Sequence, residues 1–262
     1  MEHFSRGNVI NQGFAGWKTI GLSLMWIMFA YSGWNAAGYI GSEIRSPGRN
    51  LPLSLMLGTG IVMVLYLALN ALFVFATPPG DLEGTIPVGG LAGLHLFGSA
   101  GEQMISLLIA FALLSAISSL IIIGPRVYYA MARDGYFFKA VGRVHPVHRV
   151  PYVAITLQCI IAGAMVLSGT FEQILTYMGF CLGIFPILAA LGVFKLRLED
   201  QGAFRVLLIR TVAIIFATAS FGILVLAYFE RPLESTVALI TVGIGVPLYM
   251  VFARSRTEGA SE

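Results

Sequence analysis

Apolar stretches long enough to cross a lipid bilayer recur along this chain, and they limit its fold more than any single residue does. A bilayer core about 30 Å thick takes roughly 20 apolar residues as a helix. Runs of about that length fall at about 17–44, 53–76, 103–124, 153–167, 174–194, 206–229 and 236–252. Lipid offers no partner to backbone amides and carbonyls, so a spanning segment must be a helix or part of a closed barrel. Continuous apolar runs of this kind read as helices. The chain is therefore read as an all-α membrane protein of about seven transmembrane helices within residues 17–254. A loop-like N-terminus (1–16) precedes them and a tail (255–262) follows. Only 11% of the residues are charged, where a soluble domain carries about 25%, so most of the surface must face something other than water.

The sign of the charge in the gaps sets the topology. Arg45 and Arg49, then Arg126, Arg133, Lys139, Arg143 and Arg149, then Lys195, Arg197, Arg205 and Arg210, and finally Arg254 and Arg256 mark alternate loops. The loops between them are acidic or nearly uncharged. The positive-inside rule makes the basic side cytoplasmic, with the N-terminus outside and the C-terminus inside, and the expected location is the plasma (inner) membrane. Arg6 and Lys18 are exceptions. A net charge of +3 distributed this way speaks for topology and not for nucleic acid. The first residues lack the order of a signal peptide and read as a loop between two membrane segments, as expected of one piece of a longer chain. Part of 125–151 is expected to form an amphipathic interfacial helix carrying Tyr128, Tyr129, Phe137 and Phe138. Gly179, Gly183 and Pro186 predict a bend in the fifth run.

Within the first run, Phe29, Ala30, Tyr31, Ser32, Gly33, Trp34 and Asn35 spell FAYSGWN where hydrocarbon should be deepest. Gly33 adopts the backbone angles of an unwound turn at little steric cost. A break at membrane depth is tolerated only against protein or a watery cavity, which is where binding sites form. The alternative is a packing glycine in a continuous helix.

Other chemistry is sparse. Cys159 and Cys181 lie in apolar runs without ligand-spaced neighbours and read as small fillers. His3, His95, His145 and His148 fall in loops, and no paired acid or Ser–His arrangement lies at membrane depth, so neither an enzyme, a metal site nor a cofactor is indicated. No Asp, Glu or Lys sits mid-segment to relay protons. A seven-helix receptor or a non-transporting interaction subunit is the rival reading. The broken first segment, and the absence from the last one of the Lys that retinal proteins need, argue against the receptor.

FAYSGWN, EIRSPGRNLP (43–52), PRVYYAMARDG (125–135) and HPVHRVP (145–151) together resemble the amino acid, polyamine and organocation permease superfamily, in its L-type amino acid transporter branch. Their order and separations match across nearly the whole chain. The resemblance implies helices six to twelve, the C-terminal part of a leucine-transporter-type fold. Helices one to five, with the Gly-Ser-Gly type motif of the broken first helix, have no counterpart here. It implies an amino acid permease working by alternating access, with an amino acid as substrate, the bilayer as surroundings and the missing N-terminal half as partner. This chain alone is not expected to transport. By similarity the backbone carbonyls of Phe29 and Ser32 hold the substrate ammonium, and the Phe29 ring closes over it or is an ordinary core aromatic. Trp34 and Asn35 line the pocket or brace the turn, or Asn35 bonds between helices. Ser118 and Ser119 stand where hydroxyls hold sodium in sodium-coupled members. Ile117 offers no side-chain oxygen, and bonding back to the helix is the plainer role. Arg126, Arg133 and Asp134 are either inner-gate ion pairs or inside-positive anchors.

Overall fold

The structure, a computed structural model, describes residues 14–34, 37, 44–82, 84–196 and 203–258. Among them are seven long helices and no strand: α1 (Phe14–Ala30), α2 (Pro47–Ala76), α3 (Val88–Arg133), α4 (Tyr152–Ser168), α5 (Phe171–Gly192), α6 (Ala203–Glu230) and α7 (Pro232–Glu258). Five of these, all but α1 and α4, are long and apolar enough to cross a membrane. Helices α1 and α4 have 17 residues each, about 25 Å at 1.5 Å per residue. The protein is an all-α membrane protein whose first helix is discontinuous, a 3-10 turn at Ser32–Trp34 following α1.

Local chemistry sets several boundaries. Pro47 opens α2, where its missing N–H is not needed. Thr77 closes it with φ −124° and ψ 132°, the extended backbone that a following proline, Pro78, demands. Helix α5 starts at a capping box: the Thr170 hydroxyl accepts from the Gln173 N–H, and the Gln173 side chain accepts from the Thr170 N–H. It then runs through Pro186 to Gly192 as one helix.

The chain divides into two compact units. One holds α2, α3 and the start of α4, within residues 34–133 and 138–158. No residue of α2 is buried, so its apolar side chains face outward, the inverse of a soluble helix and what lipid requires. Helix α3 is two arms joined at Gly98, whose φ of 73° and ψ of −167° only glycine adopts readily. The short arm, Val88–Phe97, doubles back so closely that a Cβ on Gly93 would lie 3.0 Å from the Gly101 carbonyl oxygen, and one on Gly90 2.8 Å from the Ser106 hydroxyl.

The long arm does not stop where the apolar run stops. Residues 125–133 continue α3 through buried Pro125, and the next stretch carries a 3-10 turn at Lys139–Gly142 in place of a separate interfacial helix. Pro125 removes one helical hydrogen bond, the one to the Ile121 carbonyl. Beside it the Gln158 amide of α4 donates to the Leu120 carbonyl at 3.2 Å, a side-chain contact on the turn that precedes the proline.

The second unit holds α1, α5, α6, α7 and the end of α4. Its core is Leu22, Met25, Phe180, Leu224, Ala227 and Ala238. Lipid tails are as apolar as leucine, so helices associate here through close packing at small residues. Gly21 of α1 meets Leu226 and Ala227 of α6, Gly179 meets Met25, and Gly183 meets Leu224. At one end of the unit Lys18 pairs with Glu230 at 3.5 Å and Arg231 with Glu172 at 2.9 Å.

Candidate functional site

Helix α1 is held where it packs and released where it does not. Gly21, Leu22 and Met25 are buried on one face, and the Trp26 indole donates to the Thr176 hydroxyl of α5 at 3.4 Å. The α-helix ends at Ala30. Tyr31 donates its N–H to the Ile27 carbonyl at 3.2 Å, and Ser32–Trp34 continue as a 3-10 turn. The last four carbonyls of any α-helix have no α-helical partner. Those at this end, Phe29 and Ala30 among them, therefore carry the partial negative charge of a helix C-terminus.

Phe29, Tyr31 and Ser32 are half-buried, while Ala30 and Gly33 are exposed and Trp34 is 48% exposed. Among the described residues a Cβ on Gly33 would meet nothing within 4 Å, so no close contact with a described helix demands a glycine here. Asn35 lies outside the described residues, as do the rest of 35–43 apart from Ala37, residues 1–13 of the N-terminal loop and 259–262 of the tail.

The other candidate residues stand apart from this turn in sequence. The Ser118 hydroxyl donates to the Leu114 carbonyl at 2.9 Å and Ser119 to the Ser115 carbonyl at 3.1 Å, the back-bonding pattern within a helix. Arg126, Arg133 and Asp134 are exposed. The Arg133 guanidinium donates to the Tyr129 hydroxyl at 3.3 Å and lies 5.9 Å from its ring centroid. No three His, Cys, Asp or Glu side chains among the described residues come together as metal ligands.

Two polar features escaped the sequence reading. Gln158 sits mid-helix in α4 with its Oε1 buried and without a hydrogen-bond partner, its amide lying against Gly124. An amide inside an apolar run was the available signal. Glu234 lines a cavity between α4, α5 and α7, which depends on three helices far apart in sequence and left no local mark.

Comparison with known proteins gives this interrupted helix its context. Residues 2–252 match the amino acid permease family. Over 238 residues the chain is 26% identical to the serine/threonine exchanger SteT of Bacillus subtilis (strain 168), covering 87% of this chain and 54% of that protein. It is 26% identical to the b(0,+)-type amino acid transporter 1 of Homo sapiens, covering 86% and 46%. It is 24% identical to the large neutral amino acids transporter small subunit 2 of Homo sapiens, covering 88% and 43%. The chain spans about half the length of the curated relatives it matches. A multi-pass helical chain with a discontinuous first helix, matched by one family over almost its whole length, belongs to the amino acid permeases of the amino acid, polyamine and organocation superfamily, L-type branch.

Proposed function

We propose that this chain forms the ammonium-binding side of the substrate site in a secondary amino acid permease that works by alternating access. The observation that carries the reading is the end of α1 at Ala30, inside an apolar segment, followed by the turn at Ser32–Trp34. The carbonyls of Phe29 and Ser32 accept from the substrate ammonium, and the Phe29 ring covers it and excludes water. Ala30, Tyr31 and Gly33 form the unwound turn, with Trp34 and Asn35 beside the substrate side chain. No charged side chain occurs from Phe29 to Asn35, which suits a neutral amino acid. The names of the serine/threonine and large neutral amino acid relatives support the same class.

The substrate carboxylate needs amide N–H groups at a half-helix N-terminus. In this reading they come from the segments that make up the rest of the relatives' length, so the chain does not transport by itself. The basic loops lie in the cytoplasm, with the N-terminus outside and the C-terminus inside. Back-bonding of Ser118 and Ser119 favours a role in the helix over one in holding sodium. Exposed Arg126, Arg133 and Asp134 anchor the cytoplasmic face, which shifts between its states.

The test is saturable binding of a radiolabelled neutral amino acid to membranes in which the chain is co-expressed with a complementary five-helix half. Binding should weaken about tenfold in Phe29→Ala, the loss expected on removing a well-packed aromatic contact. Uptake by vesicles containing this chain alone would refute the shared site, and unaltered binding in Phe29→Ala would refute the role of the ring.

A further inference from the structure

The second unit contains a cavity of about 430 Å³ between the ends of α4, α5 and α7 that plays no part in the proposed amino acid site. Its two ends differ in chemistry. The mouth has Ser168 and Gly169 of the turn between α4 and α5, with Gln173 of α5 and Glu234 of α7. Ile161, Met165 and Val237 form the walls, and Tyr177 and Thr241 lie deeper. From Ser168 back to Ile161, and from Glu234 on to Thr241, is seven residues, about 10 Å along a helix. A charged rim at the helix ends thus gives way to walls of apolar side chains, with the Tyr177 and Thr241 hydroxyls at the inner end, a profile that suits an amphiphile standing in a leaflet.

Charge accounting at the rim selects the headgroup. The two basic side chains with ion pairs at this end are committed, Lys18 to Glu230 and Arg231 to Glu172. Of the remaining polar groups, the Gln173 side chain serves the capping box, and the Ser168 hydroxyl donates to the Met165 carbonyl at 3.1 Å. Glu234, half-buried, has no ion pair or hydrogen bond among the described residues. Its place in the first turn of α7 suits the helix dipole but leaves its carboxylate oxygens open as acceptors.

We propose that this cavity binds phosphatidylethanolamine, with the lipid's primary ammonium on Glu234 and the upper part of an acyl chain along Ile161, Met165 and Val237. A primary ammonium brings both a positive charge and N–H donors to a carboxylate that lacks partners. A choline headgroup has the charge without donors, a headgroup of net negative charge is repelled, and the phosphodiester, common to ethanolamine and choline lipids, does not choose between those two. Apolar walls favour the lipid over a soluble amine, which would fill the rim and leave the shaft empty.

The test is native mass spectrometry of the delipidated full-length chain, titrated with phosphatidylethanolamine, its N-methylated analogues and phosphatidylcholine of identical acyl chains. Retention should fall stepwise with methylation, by about tenfold from ethanolamine to choline, as expected for loss of charge-assisted hydrogen bonds. In Glu234→Gln the two lipids should be held alike, at the level of choline. Val237→Trp, which fills the shaft, should lower retention of both. Equal retention by the unaltered chain, a preference surviving in Glu234→Gln, or unaltered retention in Val237→Trp would each overturn the proposal. Complete displacement of the lipid by soluble phosphoethanolamine would overturn the choice of a lipid over a free amine.

Discussion

Replacing Gly21 by alanine should be among the most damaging single-methyl changes in the second unit. A Cβ there would overlap Leu226 Cβ and lie 3.3 Å from the Ala227 backbone nitrogen. Neither group can swing aside, so α1 and α6 must part by about 1.5 Å to restore carbon contacts of about 3.5–4.0 Å. A gap of only about 0.5–1 Å already forfeits about a quarter to a half of the dispersion energy at the contacts it opens. Met25 lies one turn on and is only 1% exposed. A buried side chain of its size makes about 40–60 contacts of 0.1–0.2 kcal/mol each, or about 6 kcal/mol. Losing a quarter to a half of that gives about 1.5–3 kcal/mol, within the overpacking range. Two companions make the reasoning refutable by rank. At Gly183 the new methyl would lie 2.8 Å from Leu224 Cδ2, the flexible end of a side chain, so about 1 kcal/mol is expected. At Gly222 nothing lies within 4 Å, and alanine should be neutral or stabilise by up to about 1 kcal/mol. Thermal unfolding in detergent, followed by size-exclusion chromatography, measures all three. If Gly21→Ala melts with or above Gly222→Ala, the close approach of α1 and α6 is wrong.

Two further outcomes follow from side-chain geometry. A methyl on Gly124 would run into the Gln158 amide, 3.0 Å from its Cδ, so Gly124→Ala should cost about 1–2 kcal/mol. Most of that should vanish in a Gln158→Ala background, which a double-mutant cycle on unfolding reads as coupling. Thr170→Ala removes the oxygen that caps α5 and should cost about 1 kcal/mol. Serine there should restore stability where valine does not, as read from the unfolding midpoint.

What could be read in the sequence was what depends on single segments. Run length alone called for helices, since a chain in lipid has few other ways to satisfy its backbone. FAYSGWN marked the end of α1 because a glycine beside polar side chains weakens a helix wherever it stands. Contacts between segments were not legible. The reversal at Gly98 depends on Gly93 and Gly101 lying close enough for backbone to touch backbone, while the sequence shows only several nearby glycines. The apolar run ends at Gly124, yet α3 continues through Pro125, and the Gln158 donor beside it comes from a different apolar run. The Glu234 cavity needs α4, α5 and α7 together, and no window along the chain contains all three.

The packing of α1 also bears on how its broken end can work. Substrate carbonyls are useful only if their positions are set before the ligand arrives, because a helix end that must be ordered by its ligand loses affinity to that ordering. Upstream of the break the helix is fixed three times: by Lys18 on Glu230, by Gly21 and Met25 in the core, and by Trp26 on Thr176. Beyond Ala30 the packing thins among the described residues, where a Cβ on Gly33 would meet nothing within 4 Å and Trp34 is 48% exposed. The last well-held turn therefore ends at the Phe29 carbonyl and sets the approach to that of Ser32, the two carbonyls that the proposed site assigns to the ammonium. Gly21→Ala, nine residues away and touching no ligand, should on this reasoning shift those carbonyls and weaken amino acid binding as well as lower stability. Thr170→Ala should lower stability and leave binding nearly intact. Equal effects of the two on binding, at matched loss of stability, would mean that the packing of α1 does not position the site.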